Sequence, residues 1–564
     1  MASKDVADVL IIGSGASGGP FAWFLSKVPG IKIVCLEQGD WDRDPRDLHR
    51  IVKERYSATG SDSREGDENW QRLTKAPRQA GANYFLNGYP YDYTESYWQP
   101  ILGNHVGGAT VHYGAGWSRL RLSDFLLRST TGVGDDWPIT YWDLAPYYDL
   151  NDQTVGVAGV PGNPQLPKKN VDLLPVPGFN WSSNKFRAAA DKLGWHWWPG
   201  ESARLTVPFR GRKATDVREA KNRADIVHWP EAIRNGVVLK TRATVREITV
   251  SKKGLADGAL YYDAEGRLNE QKARIVVVAC NGIGTPRLLL NSKSARFPNG
   301  LANGSGLVGK GLMGHPKANA VGLFEDEDPS PTMEGAGVGI DEFYDVEWRG
   351  SCVGGFTLSA GGFSGPVAAA LGTSPESQVT IIPASLERGP IRTGNAVPWG
   401  RAHHVAFAER YRRTATVSIL TSELADDANR VELHPTLTDD YGIPAPKLIT
   451  KRSENHQQLI AYALERAKLL LEMAGAVKIL QAGIDTESGG RGAAPGHYLG
   501  TARMGNDPKR SVVDKSCRAH DVKNLFIIDG SVFTTSATTV PTSTIQAIAL
   551  RTADYVKTNF KLLT

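Results

Sequence analysis

An α/β fold is predicted for this chain, with a Rossmann-like parallel sheet joined to a second domain made mainly of sheet and covered by helices. Three observations predict it. The chain opens on a complete strand–glycine turn–helix–strand unit, a second strand–glycine–helix unit recurs near residue 280, and the residue pattern changes between about residues 322 and 485.

The first unit organises the rest. Val9–Ile12 is a short apolar run, read as a buried strand, that leads straight into Gly13-Ser14-Gly15-Ala16-Ser17-Gly18. Pro20–Val28 reads as a helix ending near Gly30, Ile31–Leu36 as the next strand, and Glu37 closes that strand 19 residues beyond Gly18. A G-x-G-x-x-G alone can be a plain glycine turn between core elements. In the order strand, glycines, helix, strand and acid it points to a dinucleotide. The glycines allow a tight turn and let backbone N–H groups at the helix N-terminus approach a pyrophosphate. The Glu37 carboxylate suits an unphosphorylated ribose, as in NAD or FAD, better than that of NADP.

A length of 564 residues suggests roughly 2–4 domains. Hydrophobic content of 41% and charged content of 22% are ordinary for a globular protein. The net charge of +5 is spread without a basic run, which gives nucleic-acid binding little support. The start MASKDVADVL has neither the charged nor the apolar region of a secretory signal, and no apolar run reaches about 18 residues. A membrane span is therefore not expected, and the chain reads as cytoplasmic. Cys35, Cys280, Cys352 and Cys517 form no C-x-x-C, so neither an iron–sulfur cluster nor a zinc site is expected. Cys35 and Cys280 lie in or beside apolar strands and read as small core residues.

Along the chain, Asp40 to about Glu95 is polar, with scattered aromatics, and reads as loops and short helices. Ile101–Leu120 is rich in glycine and small residues, a composition that lets backbone approach a flat ligand; on base rate its His105 and His112 are satisfied structural histidines. Asp136–Tyr148 reads as turn then helix. Gly194–Gly200 (GWHWWPG) is an aromatic, strand-like run that suits either sugar-ring stacking or a core strand. Arg242–Val250 alternates as a strand, and Leu255–Tyr262 with Arg267–Lys272 as a hairpin return. Arg274–Ala279 is a fully apolar strand followed by a helix over Ile283–Ser292, whose first turn carries Pro286. Gly354–Thr373 reads as a mobile or closely packed loop. Thr414–Leu420 and Arg430–Leu433 read as strands, and Pro444-Ala445-Pro446 as a turn. Ser453 is placed to cap a helix that runs to Gly475. Asn524–Asp529 is another short buried strand, and a helix follows Pro541.

Taken together, these segments resemble the glucose–methanol–choline (GMC) oxidoreductases, a flavoprotein family. The resemblance rests on GSGASG (Gly13–Gly18), VGGATVHYG (Val106–Gly114), DWPITYWDLAPYY, NGIGTPRLLLNS (Asn281–Ser292), GLVGKGLMGHP (Gly306–Pro316), HYLGTARMG (His497–Gly505) and NLFIIDGSVF (Asn524–Phe533), in that order. It implies an FAD-binding domain assembled from segments 1–150, 226–320 and 491–564. It also implies an α+β substrate domain with a large antiparallel sheet, from 151–225 and 321–490.

By motif, Gly13, Ser14, Gly15, Ala16, Ser17 and Gly18 would face the pyrophosphate and Glu37 the adenosine ribose. Val245 would meet the adenine through its backbone and Ala279 would line it, with Asp529 and Gly530 on the ribityl chain and Thr542 also at the cofactor. Gly107, Gly108, Thr110 and His112 would lie beside the isoalloxazine ring. Within the family, VGGATVHY looks most like the loop of pyranose oxidases and bacterial glycoside oxidases. In pyranose oxidases the matching histidine carries the flavin covalently, whereas other members keep a histidine there without a bond; for His112 the non-covalent state is preferred.

The histidine opening H-x-x-G-T, here His497, would take the hydroxyl proton while a hydride goes to flavin N5. Family members usually carry a second His or Asn near the C-terminal helix. Here Val540 falls at that position, and its side chain neither donates nor accepts a hydrogen bond; Thr542 or Ser543 would have to hold the substrate hydroxyl instead. The expected activity is oxidation of a secondary hydroxyl of a pyranose or glycoside, at C2 or C3, with electrons passing to O2. A dehydrogenase using quinone or a protein acceptor, and a flavin-containing hydroxynitrile-type lyase, are the alternatives.

Overall fold

The structure, a computed structural model, describes residues 6–41, 89–98, 100–212, 220–329, 336–345, 352–361, 400–484, 486–487, 491–492 and 496–564. A seven-stranded sheet gathers strands from three distant parts of the chain. From the first part come β1 (Ala7–Ile12) and β2 (Ile33–Leu36). From the middle come β5 (Val238–Lys240), β6 (Thr244–Val250), β7 (Ala256–Tyr262) and β8 (Leu268–Val278). The end supplies β18 (Leu525–Ile527). β2 pairs with β5, and β1 lies parallel between β2 and β8, with Val9 opposite Ile33 on one side and Ile275 on the other. β18 adds in parallel on the far side of β8, Phe526 opposite Val277.

Two stretches read separately in the sequence, Arg267–Lys272 and Arg274–Ala279, belong to the one 11-residue strand β8. Its first half forms the antiparallel hairpin with β7 and keeps exposed residues. Its second half, Ile275–Val278, is wholly buried, because a central parallel strand is covered on both faces.

The larger antiparallel sheet has six strands: β4 (Trp197–Pro199), β9 (Lys317–Leu323), β10 (Val338–Ile340), β11 (Phe356–Gly361), β12 (Thr414–Thr421) and β15 (Lys478–Ile484). They run in the order β15-β9-β12-β11-β10-β4, and every neighbouring pair is antiparallel. β9 crosses the domain boundary expected at residue 320.

The glycine-rich stretch read as a loop contains β11 instead, and its residues 362–373 lie outside the described residues. Phe356 and Leu358 point into the core there, a period-2 pattern that the surrounding small residues mask. The aromatic run Gly194–Gly200 supplies β4, a half-buried edge strand. Behind this sheet packs the 20-residue helix Glu454–Met473, burying Leu459, Ile460, Ala463, Ala467 and Leu471 against Ala318, Ala320 and Val417. Ser453 caps it as expected, accepting from the His456 N–H at 3.1 Å.

A three-stranded sheet joins β3 (Asp92–Ser96), β13 (Arg430–Thr438) and β14 (Pro444–Thr450). The predicted turn at Pro444-Ala445-Pro446 is therefore the start of a strand. The prolines are tolerated because β3 pairs only from Lys447 onward, and the β13 register shifts beside them. At Pro444 and Pro446 the strand is an edge, where a missing N–H costs least. A short ladder of β16 (Thr486–Glu487) and β17 (Arg491–Gly492) completes the strands. Most of the polar stretch Asp40–Glu95 lies outside the described residues. No described helix is long and apolar enough to cross a membrane.

Candidate active site

A cavity of about 810 Å³ runs from the first βα turn to the loop that carries His497. Its construction begins with the three glycines, which do different things. A side chain at Gly13 (φ +98°) would sit 2.4 Å from the Ala279 carbonyl oxygen, and one at Gly18 would sit 2.0 Å from that of Gly13. Both are therefore required by protein packing. Gly15 lines the cavity, and a Cβ there would meet only the Gly108 backbone, at 3.6 Å from Cα and 4.0 Å from N. Gly108 (φ +52°) has no such room, since its own Cβ would lie 2.8 Å from the Gly15 Cα. Backbone thus meets backbone at the cavity floor, the close approach that a pyrophosphate needs.

Glu37 is buried at the end of β2 and lines the same cavity. Its Oε2 accepts from the Ser14 N–H at 2.9 Å and the Ser14 hydroxyl at 2.7 Å, and its Oε1 accepts from the Gly39 N–H at 2.8 Å. Burial pushes its pKa up, opposed by these bonds. A carboxylate has about four lone-pair sites, so capacity remains for a ligand hydroxyl. Val245 and Ala279 line the wall between β6 and β8. Asp529 lies at the end of β18, accepting from the Ser531 N–H at 2.9 Å and the Thr285 hydroxyl at 2.6 Å, and beside it Gly530 faces the cavity. This set fits FAD: a glycine floor, the two buried carboxylates of Glu37 and Asp529, and a wall of Val245 and Ala279 for a planar ring.

Gly107 and Gly108 turn the chain through positive φ into the short helix Gly108–Val111. Thr110 pins that turn, donating to the Gly107 carbonyl at 2.6 Å and accepting from the Ala224 N–H at 3.0 Å. Gly108, Thr110 and His112 line the cavity. Gly107 and Gly18 are not part of its lining, nor are Trp195, His196, Trp197 and Trp198 of the run Gly194–Gly200.

His497 lies on a loop clamped from both sides. Gly282 leaves room for its backbone, since a Cβ there would come within 2.3 Å of the Tyr498 carbonyl oxygen, and the Thr501 hydroxyl donates to the Gly282 carbonyl at 2.8 Å. On the other side, Met313 and Leu499 exchange antiparallel backbone bonds, both 3.0 Å. Two residues along each strand, that register sets His315 opposite His497. Their Nδ1 atoms are 2.8 Å apart, with the rings at 84°. His315 is fully buried, and His497 lines the cavity with Lys317. Burial lowers the pKa of His315 to about 4. It lowers that of His497 well below the usual histidine value, helped by His315 and Lys317. Burial favours the neutral form of both rings.

His315 carries no role in the sequence reading, although it is the penultimate residue of the quoted motif GLVGKGLMGHP; the only signal was a histidine two residues before β9 of the six-stranded sheet. Thr542 lines the cavity, but Val540 and Ser543 do not. Val540 packs over Gly116, and Ser543 is wholly buried in the helix Thr542–Leu563. Of the two neighbours offered as replacements for a missing partner, only Thr542 reaches the cavity. Among the described residues no group of three or more His, Cys, Asp or Glu could hold a metal ion.

Models of the GMC oxidoreductase family match residues 171–317 and 425–549. The chain is 35% identical to 2-methyl-1,2-propanediol dehydrogenase of Mycolicibacterium austroafricanum, over 99% of this chain and 96% of that protein. It is 28% identical to the fructose dehydrogenase large subunit of Gluconobacter japonicus, covering 98% of each chain. It is also 28% identical to 6'''-hydroxyparomomycin C oxidase of Streptomyces lividus, over 97% of this chain and 91% of that one. Among solved structures, a pyridoxine 4-oxidase superposes with a TM-score of 0.63 at 16% identity, covering 98% and 99% of the two chains; at that identity the likeness shows the shared fold. The chain is therefore a flavin-binding alcohol oxidoreductase and belongs to the GMC oxidoreductase family.

Proposed function

We propose that this chain oxidises a secondary hydroxyl of a pyranose or glycoside to a ketone, with His497 as the base and electrons passing to O2. One observation carries the reading: a histidine kept neutral by burial stands on the wall of the same cavity as the βαβ glycine turn. Bound FAD supplies the hydride acceptor. Glu37 faces its adenosine ribose and Asp529 its ribityl chain, the glycine floor admits the pyrophosphate, and the His112 loop lies along the cavity with no covalent bond required. An alcohol gives up a hydride readily only if its O–H proton leaves as well. His497 takes that proton, and a base so placed contributes roughly 10²–10⁴-fold. Thr542 helps hold the hydroxyl.

The sugar reading is supported by the VGGATVHY loop and by relatives named for fructose and for an aminoglycoside. A second reading, a small vicinal diol handed to an acceptor other than O2, is favoured by the relative named as a propanediol dehydrogenase. Anaerobic stopped-flow mixing with pyranoses, aromatic glycosides, fructose and 2-methyl-1,2-propanediol decides between them by which bleaches the flavin fastest. Admitting O2 or a quinone then identifies the acceptor. His497→Ala should retain the flavin and slow its reduction at least about a hundredfold. Reduction at the wild-type rate would place the base elsewhere.

A further inference from the structure

We propose that His315 is a positioning residue that fixes the tautomer of His497, placing the proton on Nδ1 of His497 and the lone pair on Nε2. The proposal rests on the reading of His497 as the base. It follows from donors and acceptors taken one at a time. Nε2 of His315 lies 2.9 Å from the Ser536 carbonyl oxygen and 3.1 Å from that of Ala537. A carbonyl can only accept, so this nitrogen carries the hydrogen. A neutral imidazole has a single N–H, which leaves Nδ1 of His315 as an acceptor. At 2.8 Å from it, Nδ1 of His497 must donate. Nε2 of His497 is then bare, on a ring that lines the cavity. The base therefore offers the nitrogen that can receive a hydroxyl proton. In that transfer the substrate O–H bond breaks, an Nε2–H bond forms, and the positive charge on His497 is shared through its Nδ1–H with the His315 acceptor.

The surroundings hold His315 in this role. Gly314, next to it, donates its N–H to Glu423 Oε2 at 2.7 Å. The Glu423 N–H in turn donates to the Ser536 hydroxyl at 2.8 Å, on the residue whose carbonyl receives His315. Protonation of His315 would make both its nitrogens donors and drive His497 into the opposite tautomer. Burial disfavours that state.

The test is ¹⁵N NMR of histidine-labelled holoenzyme, with the His497 signals assigned by their loss in His497→Ala. Wild type should show Nδ1 of His497 protonated and Nε2 unprotonated from about pH 7 to 9. His315→Leu removes the acceptor. It should let His497 populate the Nε2–H form and slow flavin reduction at least tenfold, with flavin content retained. The bound on that loss is the roughly 10⁴-fold measured when a catalytic imidazole takes the wrong tautomer. His315→Gln offers an N–H to the two carbonyls and an oxygen to His497, so it should restore the wild-type tautomer and recover most of the rate lost in His315→Leu. A protonated Nε2 on His497 in wild type overturns the proposal, as does an unchanged tautomer in His315→Leu. Should His315→Leu not fold, the wild-type and His315→Gln spectra decide. If His497→Ala reduces its flavin normally, the base assignment fails on its own, and the tautomer spectrum still judges the positioning.

Discussion

At the scale of single residues, the glycines of the first turn separate into two kinds. Gly18 is held against the Gly13 carbonyl, so Gly18→Ala should destabilise even the flavin-free protein, by about 2 kcal/mol or more, as steric strain in a packed turn does. Gly15 has ordinary contact distance to spare on the protein side. Gly15→Ala should therefore leave the apoprotein's melting temperature nearly unchanged while weakening flavin retention. Thermal unfolding of apoprotein beside flavin content after gel filtration checks both. Equal losses of apoprotein stability would show that Gly15 serves packing as well. The G-x-G-x-x-G pattern was fully legible in the sequence, but this division of labour was not, because it depends on Ala279 and Gly108, far away along the chain.

At the scale of elements, local chemistry fixed what local signals describe. Ser453 was legible as a helix cap because a hydroxyl just before a run of period 3.6 satisfies an otherwise unpaired N–H. Ser453→Ala should cost about 1 kcal/mol in denaturant unfolding, and Ser453→Asp much less; equal losses would mean the cap bond to His456 contributes nothing. The hidden elements were those whose partners override a local preference. Pro444 and Pro446 begin a strand because β3 leaves them unpaired on one side. β11 hides in a glycine-rich stretch because its pairing comes from β10 and β12.

At the scale of the whole molecule, buried ionisable groups set opposite pH dependences. Burial holds His228 and His456 near pKa 3 and His315 near 4. Unfolding exposes each ring to take up a proton below about 6.5, so stability falls as pH drops through that window. Asp124 and Glu423 are raised by burial to about 7. Between their ordinary values and 7 the folded chain keeps protons that the unfolded chain has released, so their contribution is lost as pH rises. Relative to wild type, Glu423→Gln should gain stability from pH 5 to 8, and His456→Gln should gain as pH falls below 6.5. Melting temperatures across pH 4–9 test both signs, and differences that stay flat with pH would refute them.

The sequence by itself determined the βαβ unit, the apolar centre of the parallel sheet, the family motifs and His497. The first two depend on backbone freedom, periodicity and spacing within a few tens of residues, and the reading of His497 rests on the family resemblance of its motif. Only the tertiary structure decided which glycines serve packing, where prolines enter a strand, and that Val540 and Ser543 stand away from the cavity. It alone paired His315 with His497, 182 residues apart. That contact comes from the Met313–Leu499 bridge, an isolated pairing of two loop segments outside the sheets, which tertiary packing brings together and neither segment's own pattern records.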